Sequence, residues 1–438
     1  MAVTALPPGP TTPSALQTLH WLVRPISFME ACRRRHGDAF SVRFLGFETP
    51  LVMVSSPEAI RALYSEPGHQ LPAGRKLALR PIVGPRSVLL LEGAEHLSRR
   101  RLMLPPFHGD RMRAYEPTVR EATEREIARW PADRPFAVHP SMQAITLEVI
   151  LRAVFGVADA ERRERLRARL VELLGSTASA GLQFSVLLAR RLGTKDPLLR
   201  MQALMAEIDE ILTVEIADRR VEGETTAKRD DICSLLVAAR FEDGGQMEDR
   251  EIRDQLMTLL LAGHETTATA LAWTLDLLTR HPDALSRLRT ELDAGDEAYL
   301  RAVIAESLRL RPVVPLAGRH LTSDLHANGM VLPAGTDVTP AIWLTHTRAE
   351  SYPEPYAFRP ERFLGSAPPT YAWIPFGGGV RRCLGAAFAE MEMRVVLTAI
   401  LRDRAPLPAA RRAERVARRN VTFSPRHGTR IVAALRAP

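Results

Sequence analysis

Residues 373–403 read WIPFGGGVRRCLGAAFAEMEMRVVLTAILRD. One cysteine, Cys383, stands between three consecutive glycines, Gly377 to Gly379, and a segment of helical periodicity that begins at about Leu384. A thiol at a helix mouth meets unpaired backbone N–H groups and the positive end of the helix dipole, and both favour the thiolate. The glycines let the preceding backbone fold back and aim further N–H groups at the sulfur. A thiolate held this way serves as a nucleophile or as a metal ligand. The nucleophile needs a histidine base, and none lies close in sequence. Taken alone, a single cysteine in a glycine-rich turn is equally a buried, inert residue.

Three stretches elsewhere in the chain bear on that choice. AESLR, residues 305–309, places Glu306 and Arg309 one helical turn apart on one face. By itself this pair is also what a surface salt bridge looks like. RPERF, residues 359–363, supplies Arg362. AGHETT, residues 262–267, lies in the middle of a long apolar segment that the periodicity assigns to one continuous helix ended by Pro282. Gly263 is a poor helix former there, and Thr266 and Thr267 can bond back to the preceding turn and loosen it. Glu265 is the expensive residue, because a carboxylate in an apolar helix needs a task.

Together these stretches resemble the cytochrome P-450 family. FGGGVRRCLG fills every fixed place of its cysteine signature F-x-x-G-x-R-x-C-x-G with Phe376, Gly379, Arg381, Cys383 and Gly385. The other motifs follow in the family's order. The resemblance implies a mainly α fold with small β-sheets, haem lying between a long central helix and the cysteine loop. It implies haem b held by the Cys383 thiolate, with dioxygen as co-substrate. A thiolate on haem iron pushes electron density that favours O–O cleavage. Glu306, Arg309 and Arg362 would form a buried network supporting the cysteine loop. Ala262 and Gly263 would leave room for dioxygen, Thr266 would act at that site, and Glu265 would relay protons. The propionates would meet Arg381, Arg319 in AGRHL, and the His96–Arg100 pair in EHLSRRR. Arg99 and Arg101 compete with Arg100 in that run.

Composition narrows the class further. The formal charge of +8 is almost entirely arginine, with lysine only at Lys76, Lys195 and Lys228. The arginines are interspersed with acids, and no basic arm with interleaved aromatics occurs, which argues against nucleic acid. Cys32, Cys233 and Cys383 are odd in number and far apart, so neither a disulfide framework nor a cysteine-rich zinc site is expected. No signal peptide and no apolar run of membrane-spanning length is evident. A soluble, cytoplasmic, monomeric protein is expected: a single domain over 1–438, with no membrane anchor and no fused reductase.

The expected activity is that of a bacterial haem-thiolate monooxygenase, hydroxylating or otherwise inserting one oxygen atom into a hydrophobic terpenoid, steroid or fatty-acid-like substrate. Electrons would come from NAD(P)H through a reductase and a separate ferredoxin or flavodoxin, docking near Arg382. Candidate substrate contacts are Thr258, Leu261, Ala262, Val313, Val314, Leu316, Val421 and Thr422, with the 76–91 loop and the stretch around Phe184. A peroxide-driven peroxygenase and a haem-binding sensor or carrier are the alternatives. Neither has a use for Glu265 beside Thr266.

Elements are expected as follows: a helix ended by Gly37, a strand pair over 39–55 with a turn near Gly46 to Pro50, a helix capped by Ser56, and helices through 95–239. Residues 420–435 read as a hairpin around Ser424 to Gly428.

Overall fold

The computed structural model describes residues 6–66, 69–70, 79–109, 111–177, 197–365, 367–419 and 421–436. The chain divides into two compact units: residues 1–78, 127–142 and 266–438, and residues 79–126 and 143–265.

The first unit carries the sheets. Ala39–Val42 pairs antiparallel with Leu51–Val54, which runs parallel to Asp337–Pro340, which in turn pairs antiparallel with Arg319–His320. The following helix, Pro57–Ser65, starts where its sequence says: Ser56 Oγ accepts from the Ala59 amide at 3.2 Å, and Pro57 occupies the first turn. Its inward residues Ile60, Leu63 and Tyr64 pack with Val52, Val54 and Val338 of the sheet. The helix Pro25–His36 ends at Gly37, whose φ of +84° suits glycine.

The terminal hairpin reading is corrected. Thr422–Pro425 pairs with Val416–Arg419, while Arg430–Leu435 joins a different sheet between Phe136–Ala137 and Arg404–Pro408. VARR and RAPLP carry no apolar alternation, so the true partners were not visible as strands.

The second unit is helical. Its helices include Gly93–Met103, Ala160–Thr177 and Pro197–Glu222. Arg219 is buried at 1% exposure, and Glu215, Ser234 and the carbonyls of Phe155 and Gly156 accept its donors. The helix Asp249–Arg280 has residues in both units and runs without interruption through Gly263, Thr266 and Thr267. One glycine costs a helix only ~1 kcal/mol, so Gly263 does not end it. Among the described residues, no helix is long and apolar enough to cross a membrane.

Candidate active site

The cysteine loop in the first unit is a folded-back turn. The Cys383 amide donates to the Phe376 carbonyl at 2.9 Å, and the Arg382 amide to Gly379 at 3.0 Å. Gly377 and Gly379 have φ of +67° and +64°. The loop also lies directly on Tyr64. A Cβ at Gly378 would fall 2.4 Å from Tyr64 Cδ2, and one at Gly379 would fall 2.4 Å from the Tyr64 carbonyl oxygen. Gly377 is thus required by its dihedral angle, Gly378 by close approach, and Gly379 by both. The helix that follows begins at Ala386 behind Gly385, two residues later than expected, so Cys383 stands three residues ahead of its first residue.

Arg319 lies against the same turn. Its guanidinium stands 5.0 Å over the Tyr64 ring. It donates to the carbonyls of Gly318 at 3.0 Å and Gly378 at 3.2 Å while only 6% exposed. Trp373 anchors the turn's entry by donating Nε1–H to the Ala305 carbonyl at 3.1 Å, with Phe376 edge-on at 6.0 Å.

Beneath this lies a buried ionic network. Glu306 and Arg309 are both 0% exposed and paired through two bonds of 2.6 and 2.7 Å. Arg362 Nε and the Arg359 amide also donate to Glu306 Oε1, at 3.1 and 2.9 Å. Arg309 places its remaining donors on the carbonyls of His346, Pro355 and Ala357. All five of its N–H groups are therefore engaged. The sequence-expected trio does come together.

His346, at the end of the Ile342–His346 helix, was not foreseen. Its Nε2 accepts from the Ile374 amide at 2.9 Å, so its Nδ1 is the protonated nitrogen and donates to the Arg309 carbonyl at 3.1 Å. It ties the network to the segment that opens the cysteine loop, since Ile374 accepts the Gly377 amide at 3.0 Å. Burial, with Arg309 nearby, pushes its pKa down to about 3.

In the second unit, the helix His139–Val149 presents Gln143 and Thr146 one turn apart to the long helix. Gln143 Nε2 donates to Glu265 Oε2 at 2.6 Å. Thr146 Oγ1 lies 2.9 Å from His264 Nδ1 and donates to the His264 carbonyl at 3.1 Å. Burial lowers His264 to about 4. These are the partners that Glu265 needed, and no sequence motif announces them.

His96 is buried and shares a helix face with Arg100. Arg99 pairs with Glu251 at 2.7 Å and Arg101 with Glu242 at 2.8 Å. The two competitors are thus committed to carboxylates. Thr258 is 3% exposed, with its hydroxyl on Ser87 and on the Asp254 carbonyl, both at 2.6 Å. Asp254 and Gln255 bind the 86–88 backbone of the same loop. Leu261 is half-buried and Ala262 exposed on the long helix. Val313 is buried, Val314 and Leu316 are half-buried, Val421 is exposed, and Thr422 is buried with its hydroxyl on the Arg419 carbonyl and Ser424. Lys76 and Phe184 lie outside the described residues.

None of the three cysteines is in a disulfide. Cys32 and Cys233 are buried, and burial pushes their thiols up to about 11 and about 12. Cys383 is exposed.

The site as it stands is an exposed cysteine on a glycine turn, backed by a Glu–Arg–Arg network. The profile of the family Cytochrome P450 matches residues 7–404, and the chain belongs to the cytochrome P450 family. It is 42% identical over 436 residues to putative cytochrome P450 135B1 of Mycobacterium bovis, covering 97% of this chain and 91% of that protein. It is 41% identical to putative cytochrome P450 137 of Mycobacterium tuberculosis, covering 91% and 83%. Among solved structures, a retinoic acid-bound cyanobacterial CYP120A1 superposes with a TM-score of 0.84 at 24% identity, over 99% of this chain and 100% of that one. The chain is accordingly a haem monooxygenase with the P450 fold, and the family uses a cysteine-ligated haem and dioxygen.

Proposed function

We propose that Cys383 is the haem ligand and that the protein oxidises a hydrophobic terpenoid, steroid or fatty-acid-like substrate. Electrons come from NAD(P)H through a reductase and a separate ferredoxin or flavodoxin. The observation that carries this reading is the Cys383 loop: the exposed thiol of the chain sits on a turn that buried residues hold from three sides. The donor set fits iron protoporphyrin. Cys32 and Cys233 are buried, which leaves Cys383 as the accessible sulfur. Buried Arg319 supplies a cation for a carboxylate, and His96 and Arg100 supply a second donor pair. Arg381, Phe376, Ala262 and Gly385 complete the proposed haem contacts.

When bound, the thiolate-ligated haem activates dioxygen. Every other task falls to the polypeptide. The place of Cys383 just ahead of the Ala386–Asp403 helix favours the sulfur as an anion. Glu306, Arg309, Arg362 and His346 fix the loop's shape and perform no chemistry. Gln143 orients the Glu265 carboxylate through Oε2, and Glu265 relays protons toward Thr266. The apolar side chains of Leu261, Val313, Val314 and Leu316 bind the substrate by excluding water. The proposed site is that of a soluble bacterial protein, with exposed Arg382 offered to an acidic electron carrier.

The test is the reduced, carbon monoxide-treated spectrum, followed by turnover under three regimes: redox partners with NADPH, peroxide alone, and neither. The strongly red-shifted thiolate band should be present in the wild type and lost in Cys383→Ala. Product should require the redox partners. A Cys383→Ala protein that keeps both band and turnover overturns the assignment. Equal turnover with peroxide alone would transfer it to a peroxygenase.

A further inference from the structure

The positive charge of this chain is not spread along it. From residue 404 onward stand nine arginines and one acid, Glu414, which together equal the formal +8 of the whole chain. Everything before residue 404 is formally neutral. The stretch folds within the first unit as the strands Arg404–Pro408, Val416–Arg419, Thr422–Pro425 and Arg430–Leu435 with the turns between them.

Backbone bonds gather those turns. The Arg426 amide donates to the Arg415 carbonyl at 2.8 Å, and the Ala409 amide to the Arg430 carbonyl at 3.1 Å. Arg280, the last residue of the long helix, donates to the carbonyls of Ala410, Arg411 and Arg412 at 3.3, 3.4 and 2.8 Å. Arg411, Arg412, Arg415, Arg426 and Arg430 are all exposed around this junction.

The one acid of the stretch does not offset them, because it is turned inward. The Glu414 side chain is 5% exposed. It accepts the amides of Arg415, His427 and Thr429 at 3.0, 3.2 and 3.2 Å, and His427 Nδ1 lies 3.1 Å from it. Other arginines nearby have carboxylates: Arg280 meets Asp276 at 2.9 Å, Arg404 meets Asp403 at 2.8 Å, and Arg436 meets Asp293 at 2.5 Å. Among the described residues, the five exposed arginines enter no ion pair. Like charges grouped without counter-charges repel one another and project a field into solvent, which an anionic partner relieves.

Three further observations choose the partner. Between residues 409 and 430, Val421 is the one large apolar side chain exposed among those described, so little here would enter an acyl layer. The single aromatic of the stretch, Phe423, is 2% exposed, so no platform exists for stacking bases. Planar guanidinium groups match carboxylates in bidentate geometry. The face is also remote from Arg382, because the 18-residue helix Ala386–Asp403 separates the cysteine loop from Arg404 by roughly 27 Å.

We propose that this arginine face docks an acidic protein surface, at a site separate from the one that Arg382 offers to an electron carrier.

The probe is fluorescently labelled poly-L-glutamate, titrated with the full-length holoprotein and followed by anisotropy. Binding should occur at low salt and fall as salt rises. The triple variant Arg411→Gln, Arg412→Gln, Arg415→Gln should weaken it about tenfold or more. Arg61→Gln, Arg120→Gln, Arg165→Gln removes the same charge from exposed positions on three other helices and should weaken it less than about twofold. Both triple variants should keep the wild-type haem spectrum, denaturant midpoint and rate of reduction by a ferredoxin with its reductase. The binding is read without turnover, so a failure of the haem assignment would leave it unchanged. No binding of the polypeptide, or equal weakening in both triple variants, overturns the proposal. A short DNA duplex or phosphatidylglycerol vesicles bound more tightly through the same three arginines also overturns it, by naming another partner. Slower reduction in the first triple variant alone overturns the separateness of the site.

Discussion

His346→Gln should flatten the acid-side loss of stability, by an amount the structure sets. The imidazole is fully buried and its Nε2 accepts the Ile374 amide. Protonation would set two N–H groups against each other at 2.9 Å, beside the Arg309 cation. The folded pKa is therefore pushed to about 3, against about 6.5 in the unfolded chain. Between those values the unfolded state binds one more proton than the native state, so stability is intact above pH 6.5 and declines as pH falls toward 3. From pH 7 to pH 5 the loss from this one group is about 2 kcal/mol. His264, lowered to about 4, adds a similar loss in the other unit. Urea unfolding of wild type, His346→Gln and His264→Gln at pH 7, 6 and 5 gives the comparison. Each variant should start less stable at pH 7, because a buried hydrogen-bond pair is disturbed, yet lose about 2 kcal/mol less than wild type on going to pH 5. The thiolate band should follow the same pattern for His346, since Ile374 opens the cysteine loop. A His346→Gln protein with the wild-type pH slope would refute the reasoning, whatever its absolute stability.

Glu392 titrates with the opposite sign. Burial raises it to about 8, and its Oε1 has no partner. Stability is thus present below the unfolded pKa and lost as pH rises toward 8, so Glu392→Gln should stabilise the protein by ~2–3 kcal/mol more at pH 7 than at pH 5 in the same urea assay. Glu306→Ala leaves Arg309 buried without its carboxylate and should cost about 3–5 kcal/mol, read as a lower denaturant midpoint and reduced haem content. Gly379→Ala needs a left-handed conformation and meets the Tyr64 carbonyl, so the reduced carbon monoxide spectrum should lose its thiolate band, which Gly245→Ala, in a different turn, should retain. Gln143→Leu should raise NADPH consumed per product about tenfold or more with little change in substrate affinity, measured by spectral titration and product analysis.

Much of the fold was legible because its signals are local. Ser56 and Pro57 start a helix, Gly37 stops one, and each reads within a few residues. The cysteine turn was legible too, since its glycines and Cys383 fall within seven residues, 377–383. What failed to show depends on pairing across long separations. The strand Arg430–Leu435 was assigned to the wrong partner because Arg404–Pro408 looks like a loop in sequence. Gln143 and Glu265 are 122 residues apart, and His346 and Ile374 are 28 apart. Nothing in a one-dimensional pattern marks an amide or an imidazole as a tether until the other element arrives. The ion pairs of Arg99 with Glu251 and of Arg101 with Glu242 were equally invisible, at separations of 152 and 141 residues.

The long helix shows most clearly why a reading by hydropathy stops short. Its middle looks apolar nearly all round in sequence, yet Ala262 there is exposed and Leu261, Glu265 and Thr266 are only half-buried. Buried polar side chains also recur along it, and they have identifiable partners on other elements. Asp254, Gln255 and Thr258 hold the 86–88 backbone. His264 and Glu265 meet Thr146 and Gln143. Thr269 meets His139 and Ser424, and Trp273 donates to the Phe423 carbonyl. An unpaired polar group at such depth costs ~1–3 kcal/mol, so each contact fixes an element against the helix rather than merely filling space. Thr258, expected to touch substrate, belongs to this set of tethers by its hydrogen bonds and burial. Glu265 differs from the others in one respect: it is only half-buried, with one oxygen accounted for by Gln143. A half-buried carboxylate oriented by a side-chain amide is held without being sealed, which is the condition a proton relay requires and a purely structural tether does not.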